Sequence, residues 1–167
     1  MNSIIKKNIE EWSKHPFCDD THKKLNHLKN DKARLTDAFY KNLEFGTGGM
    51  RGLMGIGTNR INKYTIGKNT QGISNFINRN FDKNKSVVIA HDCRHNSSEL
   101  AKVVADVFSA NSIKSFLFSD LRPTPELSYA VRKLNCICGI VLTASHNPPE
   151  YNAVSYTHLT LPTNGEV

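Results

Sequence analysis

Ser145 closes an apolar run inside Thr143-Ala144-Ser145-His146-Asn147-Pro148, with Pro148 and Pro149 stiffening the chain beyond it. A serine hydroxyl is a poor nucleophile unless a base, a metal or a prior covalent modification helps it. His146 is its sequence neighbour, but adjacent side chains usually diverge, and no Gly-x-Ser-x-Gly elbow surrounds the serine, so a hydrolase triad is disfavoured. A second candidate is "EFGTGGMRGLMGIGTNR", where six of the ten glycines fall between Gly46 and Gly57. Gly48 and Gly49 let backbone amides approach an anion, and Arg51 and Arg60 add fixed positive charge, which suits a phosphate. The stretch matches neither familiar phosphate signature, because no Lys-Ser/Thr follows at the required place and no strand is expected before it. So many glycines predict a loop. In "AHDCRHN", Asp92 and Arg94 lie two apart. At a strand end both could project to one side and either pair with each other or reach across to another loop; the bland reading, a structural ion pair with Asn96 or Ser97 capping the next helix, is favoured.

These residues need elements to position them. Ile5, Ile9 and Trp12 share one helical face, and Leu35, Phe39 and Leu43 another, with a break at His15-Pro16. Two or three short helices therefore lead in. A helix is expected from Tyr64 to Asn80 with Ile66, Ile73, Phe76 and Ile77 facing inward. Then the period alternates. "SVVIAHD" reads as a buried strand, and "SSELAKVVADVFSA" as a helix with Leu100, Val103, Val104, Val107 and Phe108 on one side. "KSFLFSD" reads as a strand. Thr124 is expected to cap a helix with Pro125 at its first position and Leu127, Ala130, Val131 and Leu134 in one stripe. "CICGIVLTA" is a strand apolar enough to be covered on both faces. The pattern is α/β: a mostly parallel sheet with flanking helices and right-handed crossovers, preceded by a helical N-terminal extension. Such sheets bind ligands beyond the carboxyl ends of their strands, where "HDCRHNS" and "TASHNPPEYN" both sit.

The totals fit one domain plus an extension in 167 residues. The net charge of +7 raises nucleic-acid binding, but the basic residues are scattered and no aromatic stacking motif accompanies them. A small anionic substrate or a solvated surface accounts for the excess equally well. Charged residues break the apolar positions of the first twelve residues, and no later run is long enough to span a bilayer, so no membrane role is expected and the cytoplasm is the expected location. Cys136 and Cys138 alternate along the last strand, which predicts both on one face. With no second close pair to complete a zinc site, Cys18, Cys93, Cys136 and Cys138 are expected to be reduced and mostly buried.

Taken together, "GTGGMRG", "AHDCRHNS" and "TASHNP", in that order, resemble the α-D-phosphohexomutase superfamily of phosphoglucomutases and phosphomannomutases. The helices before "LEFGTGGMRGLMGIGTNRIN" look most like its phosphoglucomutase and phosphopentomutase branch. The resemblance implies the first domain of such an enzyme, an isomerase acting through intramolecular phosphotransfer. Ser145 would carry a phosphoryl group and give it to a sugar monophosphate. A bisphosphate intermediate, glucose 1,6-bisphosphate, would then return its other phosphate, interconverting sugar 1-phosphate and sugar 6-phosphate. Such transfer needs in-line positioning and charge neutralisation more than a strong base. Arg51 is then an electrostatic clamp, His146 a polar contact or proton carrier, and Gly48, Gly49 and Asn147 phosphate-binding residues. Magnesium is the implied metal, with the Ser145 phosphate among its ligands. Asp92 and Arg94 rise only to supports of the loop.

Relatives continue after Tyr-Asn with Gly-x-Lys, whereas here Ala153 and Ser155 occupy the glycine and lysine positions. The tail "VSYTHLTLPTNGEV" shows no family pattern and resembles read-through of adapter sequence. The expected organisation is therefore an extension over 1–43, an incomplete domain I over 44–152 and an aberrant tail over 153–167. The chain alone is expected to lack mutase activity. Alternatives are a non-catalytic anion-binding or regulatory module, mannose or pentose phosphate specificity, and, on charge alone, a nucleic-acid binder.

Overall fold

The computed structural model describes residues 2–46 and 49–157. Three short helices lead in, α1 (Ser3–Trp12), α2 (Asp19–Leu28) and α3 (Lys32–Phe39). Asn2 and Asp31 cap the first and third through their side-chain oxygens, as small polar residues at this position do. Ile5, Trp12, Leu25, Leu35, Ala38 and Phe39 form a core of their own, joined by Ile56 and Tyr64 from later in the chain. Trp12 stacks on Phe17 at 4.5 Å between ring centroids and meets Phe39 and Tyr64 edge-on at 5.6 and 5.5 Å. These geometries favour aromatic attraction, so the extension is bound to the rest by rings as well as by area. Leu43, expected on the face of α3, lies beyond its end and packs into the sheet's core instead.

The remaining elements are β1 (Gly49–Leu53), α4 (Lys63–Asn80), β2 (Ser86–His91), α5 (Ser97–Ala110), β3 (Lys114–Leu117), α6 (Thr124–Lys133), β4 (Cys138–Leu142) and β5 (Tyr151–Thr157). They make one mixed sheet in the order β1-β5-β4-β2-β3. β2 pairs in parallel with β3 and β4, while β5 is antiparallel to both β4 and β1. Only β5 is reversed, so four of the five strands run one way and their carboxyl ends share an edge.

Pleating divides the strand residues between two cores. Val87, Ile89, Ile140, Leu142, Met50 and Val154 face Ile66 and Ile77 of α4 and Leu100, Val104 and Phe108 of α5. Val88, Ala90 and Val141 face Leu127 and Val131 of α6. β2 and β4 are buried throughout, as crossover helices on both faces require. Each fully buried Ile, Leu or Phe contributes roughly 1.5–3 kcal/mol of transfer free energy, so the paired helices supply most of the driving force.

Several expectations are corrected. The glycine-rich stretch is not wholly a loop, because Gly49–Leu53 is a strand. A Cβ on Gly49 would lie 2.4 Å from the Val154 carbonyl oxygen, so glycine here permits close strand approach. In α4 the buried stripe is Ile66, Thr70, Ser74 and Ile77, and Phe76 points to solvent, since ten residues after Ile66 the helix has turned well away from the core. α6 is capped by Pro123 rather than Thr124, and Leu134 is exposed past its end. Cys136 precedes β4 and packs toward α6, while Cys138 faces the other core. All four thiols are free, Cys18 and Cys93 exposed and Cys138 buried. β5 itself runs from Tyr151 to Thr157. Ala153 and Val154 are small and apolar enough to fill a strand in the sheet's interior. The expectation for 158–167 lies outside the described residues.

Candidate active site

The serine loop leaves β4 at Leu142 and returns as β5 at Tyr151. Thr143 Oγ accepts from the Ser145 amide at 3.0 Å, and Asn147 donates its amide to Ala144 O at 3.0 Å and its side-chain nitrogen to the same oxygen at 2.8 Å. This knot turns the chain sharply and leaves Ser145 exposed with φ of 53°, in the left-handed region. A non-glycine residue there is uncommon and persists only where its surroundings impose it. Ser145 Oγ lies 3.3 Å from His146 Nδ1, so these neighbours meet where divergence was expected, the sharp turn having replaced extended backbone.

The grip comes from the loop after β2. Arg94 projects beneath the serine loop with its side chain only 14% exposed. Its Nη2 donates to Ser145 O at 2.7 Å and also to Asn147 O, and its Nη1 donates to Pro148 O at 2.9 Å and Tyr151 O at 3.2 Å. Asp92 aims it. One carboxylate oxygen accepts from the Arg94 amide and from Ser97 Oγ, both at 2.9 Å, and the other lies 3.9 Å from Arg94 Nε. Buried Asn152 completes the network, donating to His95 O and Ser97 Oγ at 3.1 Å each. Asn96 is the N-cap of α5 but makes no side-chain capping bond, and Ser97 serves Asp92 instead, so the capping expectation fails.

Arg51 stands two strands away. In register it faces Ala153 of β5, and Ala153 O in turn accepts from the Thr143 amide at 3.0 Å, so Arg51, Ala153 and Thr143 form a row across the sheet. Adjacent strands lie about 4.8 Å apart, which puts Arg51 roughly 10 Å from the root of the serine loop. Its side chain is exposed, and among the described residues it pairs with no carboxylate. It lines a cleft of about 690 Å³ over β1 and β5, on the face that α6 covers farther along the sheet. Tyr151, Ala153 and Ser155 of β5 line this cleft together with Lys41, Asn59 and Arg60. Arg60 is tied to Asp37 and Lys41 lies 3.6 Å from Glu44, so Arg51 is the cation left for a ligand among these three. Gly49 lies in the same wall, whereas Gly48 falls outside the described residues.

The fold and this placement have a counterpart. A model of the phosphoglucomutase/phosphomannomutase alpha/beta/alpha domain I matches residues 42–159. The chain belongs to the phosphoglucomutase/phosphomannomutase family. A phosphoglucomutase of Staphylococcus aureus (strain bovine RF122 / ET3-1) is 44% identical over 118 residues, covering 71% of this chain and 21% of that protein. That of Staphylococcus haemolyticus (strain JCSC1435) is 44% identical over 116 residues, covering 70% and 21%. The crystal structure of a Thermus thermophilus protein assigned as a phosphomannomutase superposes with a TM-score of 0.64 at 30% identity, covering 71% of this chain and 26% of that one. The chain thus spans about a fifth of the length of the curated relatives it matches.

In this phosphoglucomutase/phosphomannomutase domain the structure joins Ser145, His146 and Asn147 in one loop and sets Arg51 and Gly49 in the adjoining cleft. Arg94 is the residue sequence reasoning undervalued. Its spacing from Asp92 suggested an ion pair, and nothing local reveals that four carbonyls more than fifty residues away converge on it. For magnesium the described residues offer no built donor set: no group of three or more His, Cys, Asp or Glu among them could hold a metal ion. No helix of the described residues is long and apolar enough to cross a membrane.

Proposed function

We propose that this domain carries the phosphoryl-transferring serine of a phosphohexomutase that interconverts sugar 1-phosphates and sugar 6-phosphates. The observation that carries the reading is the exposed, left-handed Ser145 on a loop whose carbonyls Arg94 holds, at the strand ends next to the strand pair that carries the Arg51 cleft. In the proposed step a phosphate of a sugar bisphosphate donor faces Ser145 Oγ. The phosphorus–oxygen bond to the sugar breaks as one to Oγ forms. The Oγ proton passes to His146 Nδ1, in the tautomer that leaves this nitrogen free, and the departing sugar oxygen takes up a proton. Arg51 offsets the charge of the moving group, and the fixed loop supplies alignment, the larger contribution in phosphoryl transfer. Phosphoserine then gives the group to the free hydroxyl of an incoming sugar monophosphate, and the bisphosphate so formed returns its other phosphate to Ser145, which leaves the sugar phosphorylated at the opposite end.

Ala153 and Ser155 side with the cleft, so Ser155 stands on the wall where the family resemblance expects a lysine. A neutral hydroxyl there favours slow transfer, and net isomerisation of glucose 1-phosphate by these 167 residues alone is not expected. The test is incubation with glucose 1,6-bisphosphate labelled in phosphate, followed by peptide mapping. Label on Ser145, lost in Ser145→Ala, is the expected result. An unlabelled Ser145 would instead support an anion-binding module without chemistry, which sugar phosphate titration would reveal.

A further inference from the structure

We infer that Arg94 is the positioning residue of the transfer site: its guanidinium, acting through the backbone of residues 145–151, sets where Ser145 Oγ points. The inference rests on the reading of Ser145 as the phosphoryl acceptor. Four carbonyls of a single loop converge on one side chain, at Ser145, Asn147, Pro148 and Tyr151. Both terminal nitrogens each serve two of them, so the planar fork fixes the directions of those carbonyls and with them the peptide planes of the loop. Ser145 is bonded to Arg94 through its own carbonyl while sitting at φ of 53°, so the residue that leaves the usual backbone regions is the one most directly held.

The guanidinium is not free to rotate. Asp92 lies 3.9 Å from its Nε and is itself fixed by the Arg94 amide and Ser97 Oγ. Ser97 in turn accepts from Asn152, which is fully buried in β5. The chain of contacts therefore links the loop after β2, the first turn of α5 and the start of β5 to the serine. With its donors turned to the carbonyls, Arg94 reaches the ligand only through the loop, which separates its role from that of Arg51.

Arg94→Lys and Arg94→Met separate charge from fork geometry. A lysine keeps the charge but offers a point donor in place of a planar fork. In Arg94→Met, hydrogen–deuterium exchange of the amides of Ser145, Asn147 and Tyr151 should rise by about tenfold or more, while amides 87–90 and 139–142 stay protected. The saturated rate of Ser145 labelling by glucose 1,6-bisphosphate should fall by about a hundredfold with little change in the half-saturating concentration, and Arg94→Lys should recover part of both effects. Unchanged loop exchange, a loosened loop with undiminished labelling, or a change confined to the half-saturating concentration would each overturn the inference. If Arg94→Met does not fold, Arg94→Lys decides by the same readings. If wild-type Ser145 takes no label, the proposed function fails by itself, and the exchange of the loop alone decides whether Arg94 positions it.

Discussion

Two of the four thiols show how burial and neighbours set reactivity. Cys18 is exposed at the start of α2, with Thr21 Oγ at 3.3 Å, Tyr64 Oη close by and Lys63 Nζ at 3.5 Å. The Thr21 hydroxyl first, then Tyr64 and, less strongly, Lys63 lower its pKa to about 6, because each donor favours the thiolate. Burial does the reverse at Cys138, raising it to about 12. Iodoacetamide at pH 7 should therefore modify Cys18 ahead of the other three, with a rate that rises through pH 6 and levels off above it. Thr21→Val should move that midpoint upward, since the leading donor is gone. Peptide mapping after timed quenching checks both, and a midpoint unmoved by the substitution would remove Thr21 from the explanation.

Among the elements, β1 and α4 depend on single residues for different reasons. β1 exists beside β5 because position 49 has no side chain to collide with Val154 O and Ser155. Gly49→Val should push the strands apart and cost about 2–3 kcal/mol in urea unfolding, the scale of an overpacked site. Arg51, two residues on, should lose anion binding in the same variant, because its position depends on that pairing. At the start of α4, Asn62 Oδ1 accepts from the amides of Tyr64 and Thr65 at 3.0 Å, and Thr65 Oγ accepts from the Asn62 amide at 3.1 Å. The Asn62 side-chain nitrogen also holds Gly55 O and Gly57 O at 2.9 and 3.1 Å, so the cap anchors the preceding loop. Asn62→Ala should therefore cost more than the roughly 1 kcal/mol of a simple cap, as a shift in urea midpoint with unchanged slope.

For the whole molecule the question is whether the N-terminal helices and the sheet unfold together. Their cores are separate, yet Tyr64 and Ile56 belong to the chain between β1 and the first turn of α4 while packing with Trp12 and Phe39. Trp12 is the single tryptophan, so its fluorescence reports on the helical core, and far-UV circular dichroism reports on everything. Coincident urea transitions by the two probes are expected, because the shared aromatic contacts couple the parts. Trp12→Phe should lower the dichroism midpoint as well. A fluorescence transition that runs well ahead of dichroism would show the helices opening on their own.

Periodicity made the helices and the three parallel strands readable from the chain, since Leu100, Val104 and Phe108 or Val87 and Ile89 repeat at the spacing their element requires. Motif chemistry made Ser145 and Arg51 readable through resemblance. β1 and β5 were not, because glycines and a short polar-apolar mixture have no strong local preference and become strands only when each covers the other's hydrogen bonds. Arg94 was readable only as a possible support of the loop, not as the residue on which its carbonyls converge. An arginine two residues from an aspartate looks like a local ion pair, and only the antiparallel return of β5 beside β4 carries the carbonyls of residues 145–151 to within its reach. The amino-acid order thus determined most of the elements and singled out Ser145 as the proposed reacting group. The tertiary structure decided what holds that group still, because a hydrogen-bond network between segments far apart in sequence leaves no periodic trace in either one.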